Sequence, residues 1–395
     1  MADERQQPLR LLTFSTLYPN AARPHHGVFV ENRLRHLLAT GQATSTVLAP
    51  VPWHTARGVP RYEERHGIAV HHPRWPAIPR LGMSAAPALL YAASRGPAAR
   101  LRPFEAIDAH YVYPDGVAAI RLGQLLGVPV VITARGSDVT QLPDYTLPRA
   151  MIRQAVRAAD ALIAVSTALG ERLVELGADP ARVRVLRNGV DGGVFFPPAD
   201  RAAARAALDL PAGAPVLLSV GHLIARKGHD RVIGALAALD SAEALLLIAG
   251  SGPERAALEA LAQRLGVGAR VRFLGALAHE ALAAVYGAAD VLVLASSREG
   301  WANVLLEAAA CGTPVVASPI PGNDEVVRKA GIGVLAAENT PACLAAAVQQ
   351  VLAGGWGREA VHASAARFGW EETSAGQLEV FRRVIAQPRL AAASN

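Results

Sequence analysis

Glu299 and Glu307 stand seven residues apart in the stretch Glu299-Gly300-Trp301-Ala302-Asn303-Val304-Leu305-Leu306-Glu307. Carboxylates accept hydrogen bonds from hydroxyls, whereas they repel phosphate. The stretch follows an apolar run, Asp290-Val291-Leu292-Val293-Leu294, and leads into an alanine-rich segment that stops at Gly312. A helix beginning near Ala302 or Asn303 would aim its unpaired N–H groups and positive dipole end at the loop, which is the geometry that takes a phosphate or diphosphate. Glu299 then stands in the loop and Glu307 about one turn inside the helix. An acceptor on each side of an anion-binding helix start describes a ligand that is part anion and part polyol. A nucleotide sugar has that chemistry.

A second segment, Val220-Gly221-His222-Leu223-Ile224-Ala225-Arg226-Lys227-Gly228, follows a strand-like run and precedes a helical one. Its glycines, His222, Arg226 and Lys227 lie where a loop can surround an anion. Lys227 is one of only two lysines in the chain, the other being Lys329. An ammonium here would neutralise a leaving diphosphate; the plainer reading is a surface loop with incidental charge.

These loops need a scaffold. Short apolar runs at 9–14, 45–49, 105–109, 129–133, 160–165 and 183–186, then at 215–220, 244–249, 271–274, 290–294, 314–317 and 332–335, alternate with amphipathic stretches such as 116–127, 167–177, 253–266 and 340–353. Near-continuous apolar strands separated by helices indicate parallel sheets covered on both faces. The series restarts after Phe195-Phe196-Pro197-Pro198. The expected fold is α/β, with two Rossmann-like doubly wound domains facing across a cleft, spanning 1–197 and 198–370. A last helix, 371–387 within the terminal stretch 371–395, carries Leu378, Val380, Phe381 and Val384 at helical spacing and packs back on the first domain. Ligands of such folds bind at the carboxyl ends of the strands.

The 395 residues suit two domains, and an apolar content of 51% with 18% charge excludes a disordered chain. The opening ten residues are charged and polar, so no signal peptide is expected, and no uninterrupted apolar run is long enough to suggest a membrane span. Cys311 and Cys343 alone make no disulfide framework or zinc signature, which points to the cytoplasm. The net charge of +6 arises in residues 1–200, where 22 arginines face 16 acids. Within 52–103, arginines 57, 61, 65, 74, 80, 95, 100 and 102 face only Glu63 and Glu64, with Trp53 and Trp75 interleaved. Two readings stand for this stretch. One is a solvated surface; the other is a face for an anionic acceptor or the anionic inner face of the cytoplasmic membrane. No recognition helix or zinc module accompanies the charge, so nucleic acid is not an expected partner.

Together the Glu-x7-Glu segment and the 220–228 loop resemble the retaining nucleotide-sugar glycosyltransferases of family 4, whose fold is GT-B. The resemblance extends to Arg187-Asn188-Gly189-Val190-Asp191, to Val271-Arg272-Phe273-Leu274-Gly275, and to Phe368-Gly369-Trp370. In the first half, residues 26–37 with Asn32, 110–119 and 133–139 look like the subgroup that makes bacterial surface polysaccharides of the teichuronic-acid type. The resemblance implies that Glu307 binds ribose hydroxyls and Glu299 the donor sugar. It also implies that Asn303, Val304 and Leu305 offer backbone N–H groups to the diphosphate with Lys227 opposite, and that Phe273 and Leu274 border the base. His110 matches a histidine near the transferred sugar, and Gly27 a glycine loop near the β-phosphate. Asn188, Asp138 and Arg135 fall on the acceptor or sugar side.

Two positions depart from the pattern. His222 stands where many members carry arginine, leaving neutralisation to Lys227, helped by Arg226 or by a protonated His222. Arg135 stands where the family has histidine and adds a fixed positive charge. Plainer roles exist as well: Glu307 as a helix-start acid favoured by the dipole, Glu299 as a loop acid, His110 as a satisfied strand-end histidine, Asp138 as a turn cap. Trp301 reads as packing.

The implied reaction moves a sugar, most naturally from a UDP-sugar, to a hydroxyl of a lipid-linked or polysaccharide precursor of the cell surface. It uses no cofactor and, with no Asp-x-Asp in the chain, no metal. Rival readings are a nucleotide-sugar 2-epimerase or phosphorylase on the same scaffold, and an idle nucleotide-binding subunit of a polysaccharide assembly. A nicotinamide-dependent oxidoreductase is disfavoured, because no Gly-x-Gly-x-x-Gly follows either leading strand.

Overall fold

The computed structural model describes residues 7–77 and 82–387. Arg80 and the stretch 388–395, both part of the sequence-based expectations, lie outside the described residues, as do residues 1–6 at the charged start. The chain divides into two compact units, one running to Asn188 and resuming at Trp370, the other Gly189–Gly369. The division falls before Gly189 rather than after residue 197, so the Phe195-Phe196 segment goes with the second unit.

The first unit contains strands β1 (Leu9–Phe14), β2 (Ala43–Leu48), β3 (Val51–Pro52), β4 (Tyr62–Arg65), β5 (Ile68–His71), β6 (Arg74–Trp75), β7 (Ala106–His110), β8 (Val130–Ala134), β9 (Ala161–Ala164) and β10 (Val183–Val185). Its main sheet has the order β10-β9-β8-β7-β1-β2-β5-β4, while β3 and β6 form a separate pair. All neighbours run parallel except β4, which turns back on β5. Both central strands bury their whole length in the β7–β8 pair, which is why they read as unbroken apolar runs.

The hairpin β4–β5 was absent from the expected strands. Its outer strand, Tyr62-Glu63-Glu64-Arg65, is an exposed polar edge with no apolar run to betray it. The available signal was the two-residue turn His66-Gly67, with φ of 50° and 74°, the left-handed pair that closes a tight hairpin.

The terminal helix Glu371–Ala386 belongs to the first unit. Leu378, Val380, Phe381 and Val384 are buried with Leu11, Leu37, Ala106, Val131 and Ile163. Burying a full aromatic or aliphatic side chain contributes about 1.5–3 kcal/mol, so this one apolar stripe fastens the far end of the chain to the first sheet.

The second unit holds β11 (Val216–Val220), β12 (Leu245–Ala249), β13 (Val271–Gly275), β14 (Val291–Leu294), β15 (Val315–Ala317) and β16 (Gly333–Leu335). The order is β13-β12-β11-β14-β15-β16, all parallel. The first strand therefore sits between β12 and β14, and the winding direction reverses there. The first unit has the same reversal where β1 lies between β2 and β7. The chain leaving β11 and β14, like that leaving β1 and β7, runs on to opposite faces of its sheet, and such switch points are where folds of this kind form their ligand crevice.

The arginine-rich stretch is less uniformly a surface than its composition suggests. Arg65 donates to Glu31 at 2.7 Å, Arg74 to the carbonyl of Val59, and Arg102 to Leu126 O at 2.9 Å. Arg57, Arg61, Arg95 and Arg100 are exposed, with Trp53 beside the first of them at 64% exposure. Among the described residues no helix is long and apolar enough to cross a membrane.

Candidate functional site

In the second unit the loops leaving β11 and β14 meet. Gly228 closes the first loop at φ 71°, and a Cβ there would lie 2.1 Å from Ala295 O at the end of β14. Only glycine allows the two backbones so close. The contact is sealed by Ser297 N–H donating to Arg226 O at 2.9 Å.

That approach joins residues 72 positions apart. Lys227 Nζ donates to Glu299 Oε1 at 2.6 Å, and Ser296 Oγ donates to the same oxygen at 2.7 Å. Arg226 Nη1 lies 3.8 Å from Glu299 Oε2 and donates to Arg298 O at 2.9 Å. The sequence reading set Lys227 across a diphosphate from the Asn303, Val304 and Leu305 N–H groups; in the structure it is ion-paired with Glu299. His222 is exposed on the same loop.

The helix after Glu299 runs Asn303–Ala310, as its sequence predicts, and Trp301 is buried packing. The three N–H groups expected to face an anion are not equivalent. Asn303 N–H donates to Trp301 O at 3.2 Å and Leu305 N–H to Ala302 O at 3.1 Å. Val304 N–H has no backbone partner among the described residues, so the helix start offers fewer free donors than its position suggested. The tight turn through Trp301 and Ala302 is the cause.

Glu307 accepts from Tyr286 OH at 2.8 Å through Oε2. Burial raises the Glu307 carboxyl above its ordinary value, while the charge of His279, the Tyr286 hydrogen bond and Lys227 oppose that rise. Tyr286 is fully buried, its ring edge-on to Phe195 at 5.9 Å, and its carbonyl accepts from Thr313 Oγ1 at 2.6 Å. Sequence reasoning missed Tyr286, which looked like one more apolar residue of its helix. Phe273, on edge strand β13, lies under the Arg255 guanidinium at 4.2 Å, with Leu274 beside it in sequence.

A carboxylate that binds ribose must be ionised and correctly turned. If Glu307 has the ribose-binding role that the resemblance implies, replacing it with Gln is expected to raise the Kd for UDP about tenfold to a hundredfold, the range for losing charged hydrogen bonds. Tyr286→Phe frees the carboxylate to rotate and removes one of the groups holding it ionised. UDP affinity should then fall at a higher pH than in the wild type, and the discrimination of UDP over its 2′-deoxy analogue should shrink. Titration calorimetry of both nucleotides across pH checks this; unchanged discrimination in Tyr286→Phe would remove the tyrosine from the site.

In the first unit, Gly27 at φ 72° starts the helix Val28–Ala39, and a Cβ on it would lie 2.3 Å from Leu17 O. This draws the long loop after β1 onto the helix start. Across the switch point, Asp115 takes the Thr16 N–H and, at 3.0 Å, the Thr16 hydroxyl. Burial pushes Asp115 up to about 7 against those hydrogen bonds. Asp115 lies within the 110–119 stretch of the resemblance but is not among the residues expected at the site.

His110 ends β7 and is almost fully buried, and both of its ring nitrogens are engaged. Arg135 Nη2 donates to Nδ1 at 2.6 Å, and Nε2 meets Asp108 Oδ2 at 3.1 Å. Arginine only donates, so Nδ1 is the acceptor and the proton sits on Nε2. Burial lowers the His110 value, with Asp108 pulling the other way. The ring is therefore a neutral link between Asp108 and Arg135, not a free donor. Asn188 Oδ1 accepts from Arg135 Nη1 at 3.1 Å and from Arg33 Nη1 at 3.2 Å.

Asp138 serves the backbone. It accepts from the N–H groups of Val112 at 2.8 Å, Gly136 at 2.7 Å and Arg135 at 3.1 Å. That is the turn-capping role, and it leaves Asp138 little capacity for ligand. The next residue after His110, Tyr111, has φ 84°, a strained value for a side chain of its size, and its hydroxyl lies 2.5 Å from Ser137 Oγ. Strain of this kind concentrates at functional sites, and no sequence pattern announces it.

Two sequence families divide the chain. The one described as Glycosyl transferases group 1 matches residues 200–368, and the one described as Glycosyltransferase Family 4 matches residues 27–192. A D-inositol 3-phosphate glycosyltransferase of Mycobacterium tuberculosis is 38% identical over 305 residues, covering 72% of this chain and 62% of that protein. The match thus spans less than two thirds of the relative's own length. A sucrose-phosphate synthase from Thermosynechococcus elongatus superposes with a TM-score of 0.79 at 25% identity, over 96% of this chain and 100% of the other. Anabaena HepE in complex with UDP-glucose gives 0.73 at 21% identity, over 95% and 99%, a likeness of fold. With one family sequence on each half and the same two-sheet architecture in these structures, the chain belongs to the family 4 glycosyltransferases of the GT-B type.

Proposed function

We propose that this protein transfers a sugar from a nucleoside-diphosphate sugar, UDP-linked, to an acceptor hydroxyl with retention at the anomeric carbon. The observation that carries the reading is the Lys227–Glu299 pair at 2.6 Å, set in the switch-point crevice beside the Asn303–Ala310 helix start and one turn from Glu307. Breaking the bond to diphosphate leaves an oxocarbenium-like sugar and a growing dianion. Lys227, Arg226 and the helix start stabilise charge where it develops, Glu299 holds the sugar hydroxyls, and Glu307 the ribose. The acceptor attacks from the face the diphosphate leaves, and a phosphate oxygen takes its proton. A solved relative of this fold with UDP-glucose bound favours UDP over other nucleotides.

A thermal-shift screen tests the donor half, since a ligand raises stability with its concentration over Kd. UDP and UDP-sugars are expected to raise Tm and nucleoside monophosphates to do so less; no response to any nucleotide would sink the reading. Charge neutralisation by Lys227 and Arg226 replaces a metal clamp, so turnover should survive EDTA. A loss of turnover restored by magnesium or manganese would overturn that part.

The acceptor reading is a lipid-linked or saccharide precursor of the cell surface, met at the inner face of the cytoplasmic membrane. Exposed Trp53 with Arg57 and Arg61 supports it, because aromatic and basic side chains together suit an anionic interface. Each basic group near such a surface contributes about 1 kcal/mol, screened by salt. Co-sedimentation with phosphatidylglycerol vesicles should therefore be strong at low salt, weak at high salt, and reduced by Trp53→Ala with Arg57→Ala. Equal sedimentation with neutral vesicles would remove the membrane from the reading.

A further inference from the structure

Two guanidiniums in the first unit meet on one neutral atom. Arg33, from the second turn of the helix Val28–Ala39, is fully buried and donates through Nη1 to Leu186 O at 3.1 Å and Asn188 Oδ1 at 3.2 Å. Arg135, at the carboxyl end of β8, donates to the same Oδ1 and to the neutral His110. No carboxylate among the described residues forms an ion pair with either arginine. Asp108 spends Oδ2 on the far side of His110, and Asp138 is taken by backbone N–H groups. Arg33 Nε and Nη2 and Arg135 Nε are buried donors without a hydrogen-bond partner.

Buried cations are ordinarily matched by an anion, because removing an ion from water costs several kcal/mol even after relaxation. Here the direct partners are an amide oxygen, a peptide carbonyl and an imidazole nitrogen, while buried Asp108 acts on both guanidiniums and Asp138 on Arg135 through charge alone, without an ion-pair contact. The mismatch registers in both groups. Burial, and then the Arg135 charge, lowers Arg33 well below its usual value against the pull of Asp108, and burial lowers Arg135 to about 10 against Asp108 and Asp138. Arg135, at about 10, remains charged at neutral pH. A pair held together at such cost, at the switch-point end of its sheet, marks a binding site more than a structural tie.

We infer that Arg135 receives an anionic group, a phosphoryl, carried by the acceptor. Arg135 is the member of the pair with solvent access, whereas Arg33 lies behind it. Its guanidinium rests over the Phe29 ring at 5.3 Å, which fixes the plane, and Nη1 and Nη2 each carry a second N–H beyond those given to Asn188 and His110. A planar fork of N–H donors in a fixed orientation suits tetrahedral oxyanions. Asn188 and His110 turn the fork, and Arg33 adds positive potential from behind without touching the ligand. The assignment to the acceptor rests on the glycosyl-transfer reading above, in which the donor diphosphate belongs to the Lys227 loop of the second unit. The substrate class is then a phosphorylated polyol or sugar rather than a neutral one.

The test uses the full chain with the donor site saturated by UDP, and glucose 6-phosphate, glucose, glucuronate and inorganic phosphate as probes in calorimetry. The phosphorylated sugar and inorganic phosphate are expected to bind saturably and glucose not to. Arg135→Gln should weaken the phosphate-bearing probes about tenfold or more, the scale of a lost charged hydrogen-bond pair, with UDP affinity retained. Arg135→Lys keeps the charge without the fork and should fall between, which also covers failure of the Gln variant to fold. Binding that is equal in wild type and both variants, or equal for glucose and its phosphate, overturns the proposal. Phosphate binding that disappears when UDP is present overturns the acceptor assignment, because the anion would then be the donor's own. Tighter binding of glucuronate than of the phosphate would replace the phosphoryl by a carboxylate and overturn the stated class. A wild type that ignores UDP but binds phosphate through Arg135 defeats the donor reading and leaves the anion site standing.

Discussion

Glu299→Gln is expected to lower kcat about a hundredfold, the scale of a misplaced reacting group, while UDP affinity changes by no more than about twofold. Glutamine keeps the volume and the acceptor oxygen but replaces the second oxygen by an N–H donor. Lys227 and Ser296 now both donate to Glu299 Oε1, at 2.6 and 2.7 Å, so an amide can satisfy them only by turning its NH2 toward the sugar. A sugar hydroxyl that donated to Oε2 then meets a donor instead. In the proposed complex the nucleotide lies on the Glu307 side and would not feel the exchange. Steady-state kinetics with UDP calorimetry separates the two effects. Unaltered kcat would remove Glu299 from the sugar site, and a lost UDP affinity with normal kcat would hand it to the nucleotide.

The local part of this site was legible in the sequence. A strand, a polar loop and a helix start are contiguous, and Glu299 takes its place from the loop and Glu307 from the first turns of the helix that follows. The partners were legible only through topology. Lys227 and Glu299 meet because β11 and β14 are neighbours at a reversal of winding, which the alternation of runs implied but did not align to the atom. Tyr286 reached Glu307 from another helix, and an apolar period cannot distinguish a tyrosine that packs from one that also donates. In the first unit the gap was wider. His110, Arg135, Asn188 and Arg33 come from four separate elements, so their mutual engagement, which turns His110 from a free donor into a link, has no sequence signature.

The fold divides the same way. Strands buried on both faces were found because burial demands unbroken apolar residues, while β4, an exposed edge, obeys no such demand. The polar edge also closes the sheet against pairing with another chain, a role served by charge rather than by apolar content.

Lys227→Met should cost about a hundredfold to a thousandfold in kcat, the loss seen when one preorganised donor to a developing anion is removed. Methionine preserves the stem, whose Cδ and Cε pack 3.4 and 3.5 Å from the position a Cβ would take on Gly221, so the loop keeps its shape. The diphosphate loses its compact cation, and Arg226, 3.8 Å from Glu299, is less able to replace it because its Nη1 already donates to Arg298 O. Lys227 also neutralises Glu299, which is only 10% exposed, so each single variant leaves a partner uncompensated. The double variant Glu299→Gln with Lys227→Met should therefore lose less than the product of the two single losses, with a coupling of about 0.5–3 kcal/mol. Kinetics on the four proteins of that cycle decide the matter. Losses that simply multiply would mean that lysine and glutamate act on the donor separately and that their ion pair does not persist in the reacting complex.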